Sequence, residues 1–450
     1  MTLAMIRFRA ALSTSALALL AGCASYTPSP LSQSIPATDP TILSRDAASF
    51  DRPYLHPATI DLSQPLDDNA VATLAILNNP DLKAMRAKAG VADAQVFAAR
   101  LLPDPTFSIG YSPKLSGPDP DGELAGALGL DLDALRTGKV RRQQAAAQAH
   151  QVRLDLAWAE WQTAGAARLQ AAKIRSLQRS VALLDTAEEG AQSLLDRTAR
   201  AAARGDIAAD SLVAVRTAEA DARGKLDTAQ HDLEAARLEL ARLLGLPPQT
   251  TLTLAPASTR DRDPALDPQH LVEVALANRA DLHALQASYQ TEEAAVHKAV
   301  LDQFPNLGLS IGATRDTSRN VILGPTIDFT LPLWNRNRGG IAVERATRER
   351  LKAEYEARLF QTRAEITAAV GDVRLAQRQR ESIAAALPRL EGNAIASRRA
   401  ADRGDISNAT AAAAEGALGD RQAALVAADQ AIDEAMIALE LLTGVPREDW

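Results

Sequence analysis

The sequence predicts a mainly α-helical fold with a small β part, in which one helix–strand–strand–helix–helix unit is written twice. Three observations predict it. Short motifs recur at a spacing of 199 or 200 residues, two stretches of about 65 residues have the pattern of long helices, and short segments of alternating polarity precede each stretch.

The composition favours long helices and argues against a nucleic-acid-binding protein. The 450-residue chain carries a net charge of −7 with both signs interspersed, so it lacks the basic face that nucleic-acid binding requires. Aromatic residues make up only 4% and alanine is abundant, which is typical of helices that pack closely. No run of 18 apolar residues follows the N-terminal region, so we expect no transmembrane helix.

The N-terminus has the pattern of a targeting segment. Two arginines precede an apolar stretch at 10–21, and a Leu-Ala-Gly-Cys sequence ends at Cys23, the only cysteine. This resembles a bacterial lipobox, in which the cysteine sulfur carries diacylglycerol. We therefore expect a signal peptide at 1–22 and a lipid-anchored, extended segment at 23–66; Ala24, in place of aspartate, favours the outer membrane. An ordinary secretory signal with a chance cysteine is the alternative.

An internal repeat sets the organisation of the chain. The sequence Arg-Gly-Asp-Ile at 204–207 returns at 403–406, an offset of 199 residues. Leu-Gly-Leu-Pro at 244–247 returns as Thr-Gly-Val-Pro at 443–446. Upstream, at an offset of 200, Asn78, Asp81 and Leu82 recur as Asn278, Asp281 and Leu282. We therefore expect a first repeat at 67–266 and a second at 267–450.

The helix after each Arg-Gly-Asp-Ile sequence has the apolar spacing of a coiled coil. Apolar residues in alternating steps of three and four form a seam. They are Leu226, Ala229, Leu233, Ala236, Leu240 and Leu243, and at +199 Leu425, Ala428, Ile432, Ala435, Leu439 and Leu442. The preceding segments, 139–203 and 341–402, are expected to form helices about 100 Å long, the second of them kinked or distorted at Pro388.

Two hairpins of alternating polarity are expected at 106–133 and 306–331. In each, large apolar residues alternate with small or polar ones, which is the pattern of transmembrane β-strands. Pro325 is at odds with it, because proline lacks a ladder donor. Four strands cannot close a barrel, so the pattern requires several copies of the chain that close one together. A soluble sandwich of short strands is the alternative.

The order of these motifs resembles the TolC-like outer membrane factors, in their lipid-anchored NodT-type branch. The resemblance implies a homotrimer, in which three chains form one 12-stranded β-barrel in the outer membrane and one α-helical tunnel through the periplasm. It implies a passive export duct with no enzymatic activity and no cofactor, which works with a periplasmic adaptor protein and an inner-membrane pump. The segment 331–341 is similar to heavy-metal efflux channels of the CzcC type, which favours metal cations over other small toxic compounds as cargo.

The two Arg-Gly-Asp-Ile turns are the adaptor contacts that the resemblance implies. Their residues are Arg204, Gly205, Asp206 and Ile207, and Arg403, Gly404, Asp405 and Ile406. Glycine supplies the positive φ of a tight turn, aspartate is expected to cap the returning helix, and arginine is expected to be exposed. Turn chemistry alone, without a partner, is the alternative.

Acidic residues are the candidates for the lumen and its gate. Asp131 and Asp328 fall on the small-residue faces of their strands, so we expect them to line the channel, where acidic groups favour cations. Solvated carboxylates near turns are the alternative. Family channels close the periplasmic end with aspartates after the second tip, but here only Glu415 is acidic in that stretch. Glu415 or Asp405 is the candidate substitute.

The sequence contains no catalytic or metal-binding pattern. No two histidines lie three to five residues apart, so no zinc site is expected. The histidines are His56, His150, His231, His270, His283 and His297. The alternative to a duct is a helical lipoprotein that spaces the outer membrane from another periplasmic component; such a spacer has no use for the hairpins.

Overall fold

Each half of the chain runs through two shorter helices, a β-hairpin and two long helices. The computed structural model describes residues 26–31, 52, 54–56, 60–119, 121–207, 209–256 and 266–450. All of the named helices and strands lie within the compact unit 40–450. The prediction of a mainly α-helical fold with a small β part, written twice, is confirmed.

The elements of the two halves correspond one to one. The first half contains α1 (Asp68–Asn78), α2 (Pro80–Arg100), β1 (Thr106–Ser112), β2 (Glu123–Asp131), α3 (Leu132–Ala203) and α4 (Ala209–Leu243). The second half contains α5 (Pro268–Asn278), α6 (Ala280–Leu301), β3 (Leu307–Arg315), β4 (Val321–Phe329), α7 (Arg338–Asp402) and α8 (Asn408–Thr443). A 3₁₀ turn at Arg447–Asp449 ends the chain.

Three short helices, α1, α2 and α5, begin at side-chain caps that the sequence supplies, whereas α6 begins without one. Asp67 accepts a hydrogen bond from the backbone N–H of Ala70 at the start of α1, and Asn79 accepts two from the first turn of α2. Asp267 caps α5 in the same way. Such caps satisfy N–H groups that have no partner inside the helix, so they fix where each helix starts.

The two long helices exceed the predicted lengths at their N-terminal ends. α3 has 72 residues and α7 has 65, so they measure about 108 and 98 Å at 1.5 Å per residue. α3 starts at Leu132 rather than 139, because Asp131 ends β2 and accepts from the N–H of Ala134 as a cap. α7 runs unbroken through Pro388, which removes one hydrogen bond of the helix without ending it.

Each half has its own hydrophobic core, at the level where its short helix packs on its long ones. The first is formed by α1, α3 and α4, and the second by α5, α7 and α8. Leu233 and Leu240 are buried in the first core, and Ile432 and Leu439, at +199, are buried in the second. The coiled-coil seam therefore lies where the spacing predicts it.

The four strands form one antiparallel sheet in the order β1-β2-β3-β4. β2 pairs with β3, so the central contact of the sheet joins the two halves, with Leu128 opposite Ile311. Pro325 lies within β4, opposite Ile311 on β3. Within the described part of the chain, β1 and β4 each have one neighbour, so both edges of the sheet are open to another strand.

The halves also meet along α3 and α8. Trp161 on α3 donates its indole N–H to the backbone oxygen of Leu441 at 3.2 Å. One turn further on, Gly165 brings the backbone of α3 against the Leu441 side chain. The connector between the halves is tied back as well, since Leu66 and Leu254 form a parallel bridge.

Candidate functional site

The turns between the long helices have the same backbone geometry in both halves. Gly205 donates its N–H to Ala202 O at 2.9 Å, and Asp206 donates to Ala201 O at 3.0 Å. Gly404 and the residue after it make the same two bonds. This Schellman pattern needs a left-handed residue after the helix. The two tip glycines supply it, with φ of +78° and +82°.

In each turn, the arginine pairs with the aspartate two residues on. Arg204 Nε donates to Asp206 Oδ2 at 2.8 Å, and Arg403 Nε donates to Asp405 Oδ2 at the same distance. The expectation that Asp405 caps α8 is wrong, because Ser407 accepts the capping hydrogen bond instead. The same expectation for Asp206 concerns the start of α4, which follows residue 208, and that residue lies outside the described residues. Exposed ion pairs of this kind contribute little to stability, so each charge can leave its partner in the turn and pair with another charged group instead.

The candidate gate residues are held inside their own hairpin. Glu415 accepts two hydrogen bonds from Arg398, the Nε bond at 2.7 Å, and this carboxylate raises the pKa of Arg398 above its ordinary value. Asp405 is held by the tip arginine, as described above. Ile207 and Ile406, which complete the turns, are half-buried.

The structure places Asp131 and Asp328 at one level on one face of the sheet. Asp131 lies opposite Gly308 on β3, and Gly308 lies opposite Asp328 on β4. Residues directly opposite one another in an antiparallel pair point to the same face. Asp131 also caps α3, so the alternative reading, a carboxylate near a turn, describes part of its role. Both side chains are exposed in the protomer.

The other face of the sheet is apolar and exposed. Its large side chains come from all four strands and are Phe107, Ile109, Tyr111, Leu124, Leu128, Leu130, Leu307, Leu309, Ile311, Val321, Leu323, Ile327 and Phe329. Phe107 and Ile109 are each 72% exposed. A soluble chain would cover such a continuous apolar face, so this face marks a contact with lipid or with another chain.

The remaining sequence-based site predictions concern a lipid, metals and membrane helices. Cys23 lies outside the described residues. Within the part of the chain that the structure describes, no three histidine, cysteine, aspartate or glutamate side chains are grouped so that they could hold a metal ion. None of the described helices combines the length and the hydropathy of a membrane-crossing helix.

Sequence reasoning missed three buried charges that tie the structure together. Glu160 on α3 is 1% exposed and accepts from Arg52 Nε at 2.9 Å and from Arg86 Nη2 at 2.8 Å. Glu440 on α8, equally buried, pairs with Arg168 and Arg447, both at 2.7 Å. Burying a carboxylate is costly unless it is paired, so these contacts hold the segment at residue 52 and the C-terminus against α3 and α8.

The third buried charge, Arg279, has no exposed surface and joins both halves. It forms two hydrogen bonds with Asp281, at 3.0 and 2.8 Å, and its guanidinium lies 4.9 Å from the ring of Trp158 on α3. Burial alone would raise the pKa of Asp281, but Arg279 and Arg358 more than offset it and hold that pKa below its ordinary value. A departure from the sequence repeat marks this residue, because position 79, its equivalent in the first half at an offset of 200, is asparagine rather than arginine.

Comparison with known proteins supports the fold and points to a family. A family profile described as outer membrane efflux protein matches residues 271–445. No curated protein matches the sequence.

Solved structures of outer membrane proteins have the same fold. VceC of Vibrio cholerae is similar with a TM-score of 0.68 and 18% identity, over 84% of this chain and 96% of that one. The CmeC outer membrane channel of Campylobacter jejuni gives 0.72 and 13%, over 94% and 95%. CusC, studied for transmembrane channel formation, gives 0.70 and 17%, over 84% and 92%. The chain therefore shares the fold of these three proteins.

Proposed function

We propose that the chain is one protomer of a homotrimeric export channel of the outer membrane, a member of the outer membrane efflux proteins. The observation that carries the proposal is the single four-stranded sheet, with an exposed apolar face and two open edges, joined directly to helices about 100 Å long. Four strands cannot close on themselves. Three copies supply 12 strands, and each apolar face then meets lipid.

The duct is passive, and its driving energy comes from partners. The long helix pairs α3–α4 and α7–α8 reach from the sheet towards the inner membrane and form the periplasmic tunnel. The Arg-Gly-Asp-Ile tips contact a periplasmic adaptor protein, which links the channel to an inner-membrane pump. Supporting this role, each tip ends in a Schellman turn that presents an arginine about two-thirds exposed.

The finer assignments rest on sequence. Cys23 carries the lipid, which places the chain in the lipid-anchored NodT-type branch. The segment 331–341 favours metal cations as cargo, and the acidic pair Asp131 and Asp328, at one level of the polar face, favours cations in the lumen. Mass spectrometry of the mature N-terminus tests the anchor: an unmodified cysteine, or cleavage elsewhere, contradicts it.

Conductance in planar bilayers tests the channel itself. Pure, folded protein is expected to give discrete single-channel steps, and native mass spectrometry is expected to give three copies. A folded protein that forms no pores at any concentration would instead favour the periplasmic spacer. Sensitivity of a deletion strain to metals, dyes and antibiotics then identifies the cargo, with greater sensitivity to metals as the expected result.

A further inference from the structure

A band of residues flanks the sheet at the end where its strands meet the helices. Thr106, Gly129, Ser310 and Thr326 lie side by side across the four strands. β1 and β3 begin at this end, and β2 and β4 finish there. We call the flanking segments 100–105, 132–136, 302–306 and 330–338 the rim.

Every segment of the rim exposes large apolar side chains. They are Leu101, Leu102, Leu135, Phe304, Leu331, Leu333 and Trp334. Trp334 is 89% exposed, the largest fraction among them. Tryptophan favours the boundary between hydrocarbon and water, because its ring is apolar and its N–H needs a polar partner. The rim therefore adds exposed apolar surface at the helix end of the sheet.

The rim also carries cations that lack carboxylate partners. Arg100, Arg336 and Arg338 are exposed, and within the described residues none of them forms an ion pair. Arg336 makes only a long contact, 3.4 Å, with the backbone oxygen of Pro332. Arg336 and Asn337 both have left-handed backbones, with φ of +48° and +49°, so the chain bends where the two arginines project.

The opposite end of the sheet differs in this respect. There Arg315 and Arg319 both pair with Asp121, at 3.2 and 2.7 Å, and Lys114 donates to the backbone oxygen of Asp119. The two arginines of that end are therefore compensated within the chain, and Lys114 is held by a backbone oxygen. At the helix-side rim, Arg136 pairs with Asp133 and Asp104 is an exposed carboxylate, while Arg100, Arg336 and Arg338 are without a carboxylate partner among the described residues.

We infer that the rim binds the headgroups of anionic phospholipids in the periplasmic leaflet of the outer membrane. The inference rests on the proposed channel, which sets the sheet in the bilayer and the rim at the leaflet boundary. Guanidinium groups bind phosphate through paired, charge-assisted hydrogen bonds, so Arg336 and Arg338 hold the headgroup phosphate while Trp334 and its leucine neighbours pack on the acyl chains. A net negative headgroup, such as phosphatidylglycerol, is favoured over a zwitterionic one.

Native mass spectrometry of the purified trimer tests the inference, with phosphatidylglycerol and phosphatidylcholine of identical acyl chains supplied at equal concentration. The natural protein is expected to retain phosphatidylglycerol preferentially. Each rim arginine contributes about a fivefold preference, so the Arg336→Gln, Arg338→Gln double variant is expected to lose at least about tenfold. The matched control removes Arg378 and Arg389, exposed arginines about 60 Å or more further along the same helix, by substitution with glutamine.

The outcomes separate the inference from the proposed channel. Loss of preference in the rim variant alone supports the inference; equal loss in both variants, or equal retention of both lipids by the natural protein, overturns it even if that protein conducts. Absence of trimers and of conductance overturns the channel. Tryptophan fluorescence provides a second readout, in which the signal of Trp334 is the part that Trp334→Phe removes. Phosphatidylglycerol brominated near its headgroup should quench this signal more strongly than phosphatidylcholine brominated at the same position. Equal quenching by the two lipids contradicts the inference.

Discussion

Gly165 on α3 faces Leu441 on α8 with no room for a methyl group. A β-carbon at Gly165 would lie 2.3–2.8 Å from three atoms of the Leu441 side chain, whereas a β-carbon at Gly190, on the same helix, would meet nothing within 4 Å. Replacing glycine by alanine inside a helix stabilises it by about 1 kcal/mol, and overpacking costs about 1–3 kcal/mol. We therefore expect Gly190→Ala to be stabilising by about 1 kcal/mol and Gly165→Ala to be less stable than Gly190→Ala by about 1–3 kcal/mol.

Urea unfolding followed by circular dichroism measures this difference, because the gain from helix propensity is common to both variants and cancels. Leu441→Ala provides a second test, since it empties the space that the new methyl group needs. In that background, Gly165→Ala is expected to behave like Gly190→Ala, which gives a positive coupling between positions 165 and 441. Equal stability of the two single variants, or no coupling, would refute the close approach of α3 and α8.

Three further outcomes are expected. Replacing both tip glycines with leucine places side chains in a left-handed backbone, which costs about 1–2 kcal/mol at each position. Native mass spectrometry should still give trimers, while export is lost. Normal efflux would refute the tip assignment. Burial and Glu344 raise the pKa of Glu292 from 4.5 to about 7. Ionising Glu292 therefore destabilises the folded state, and the free energy of unfolding falls as the pH rises through 7. Glu292→Gln should reduce the fall in the urea midpoint between pH 5 and pH 8, and an unchanged fall contradicts this. Asp328→Asn removes half of the acidic charge at its level of the proposed lumen, so the reversal potential in a salt gradient should move towards zero, and an unmoved potential argues against a lumen position.

The repeating and alternating parts of the fold follow from the sequence because each uses local periodicity. Leu233 and Ile432 are buried at the equivalent positions that a seam in steps of three and four requires. Leu128 and Ile311 face each other across β2 and β3 on the apolar face, as alternation predicts. The expected start of α3 at residue 139 is too late. The alternating pattern continues to residue 133 and favours a strand, whereas the cap at Asp131 starts the helix at residue 132.

Pairings between distant residues could not be predicted in the same way. Arg279 lies over Trp158 only because α3 and the α5–α6 junction pack together, and no sequence period relates these residues. At the second tip, the carboxylate of Asp405 had two possible partners, the backbone of α8 and Arg403. The arginine binds it because Ser407 already occupies the capping position. Periodicity does not encode such competition for one hydrogen-bonding group.

Disulfide cross-linking of the outer strands tests most directly whether one chain completes its sheet with other copies of itself. In a Cys23→Ser background, which leaves no natural cysteine, Ser108→Cys on β1 is combined with single cysteines placed in turn along β4. Oxidation is expected to give covalent trimers, and no larger species, at a few neighbouring β4 positions. The control pair Ala127→Cys and Gly312→Cys, opposite each other on β2 and β3, should give only monomers. Monomers at every β4 position, or a ladder that continues beyond three copies, would contradict the closed trimer.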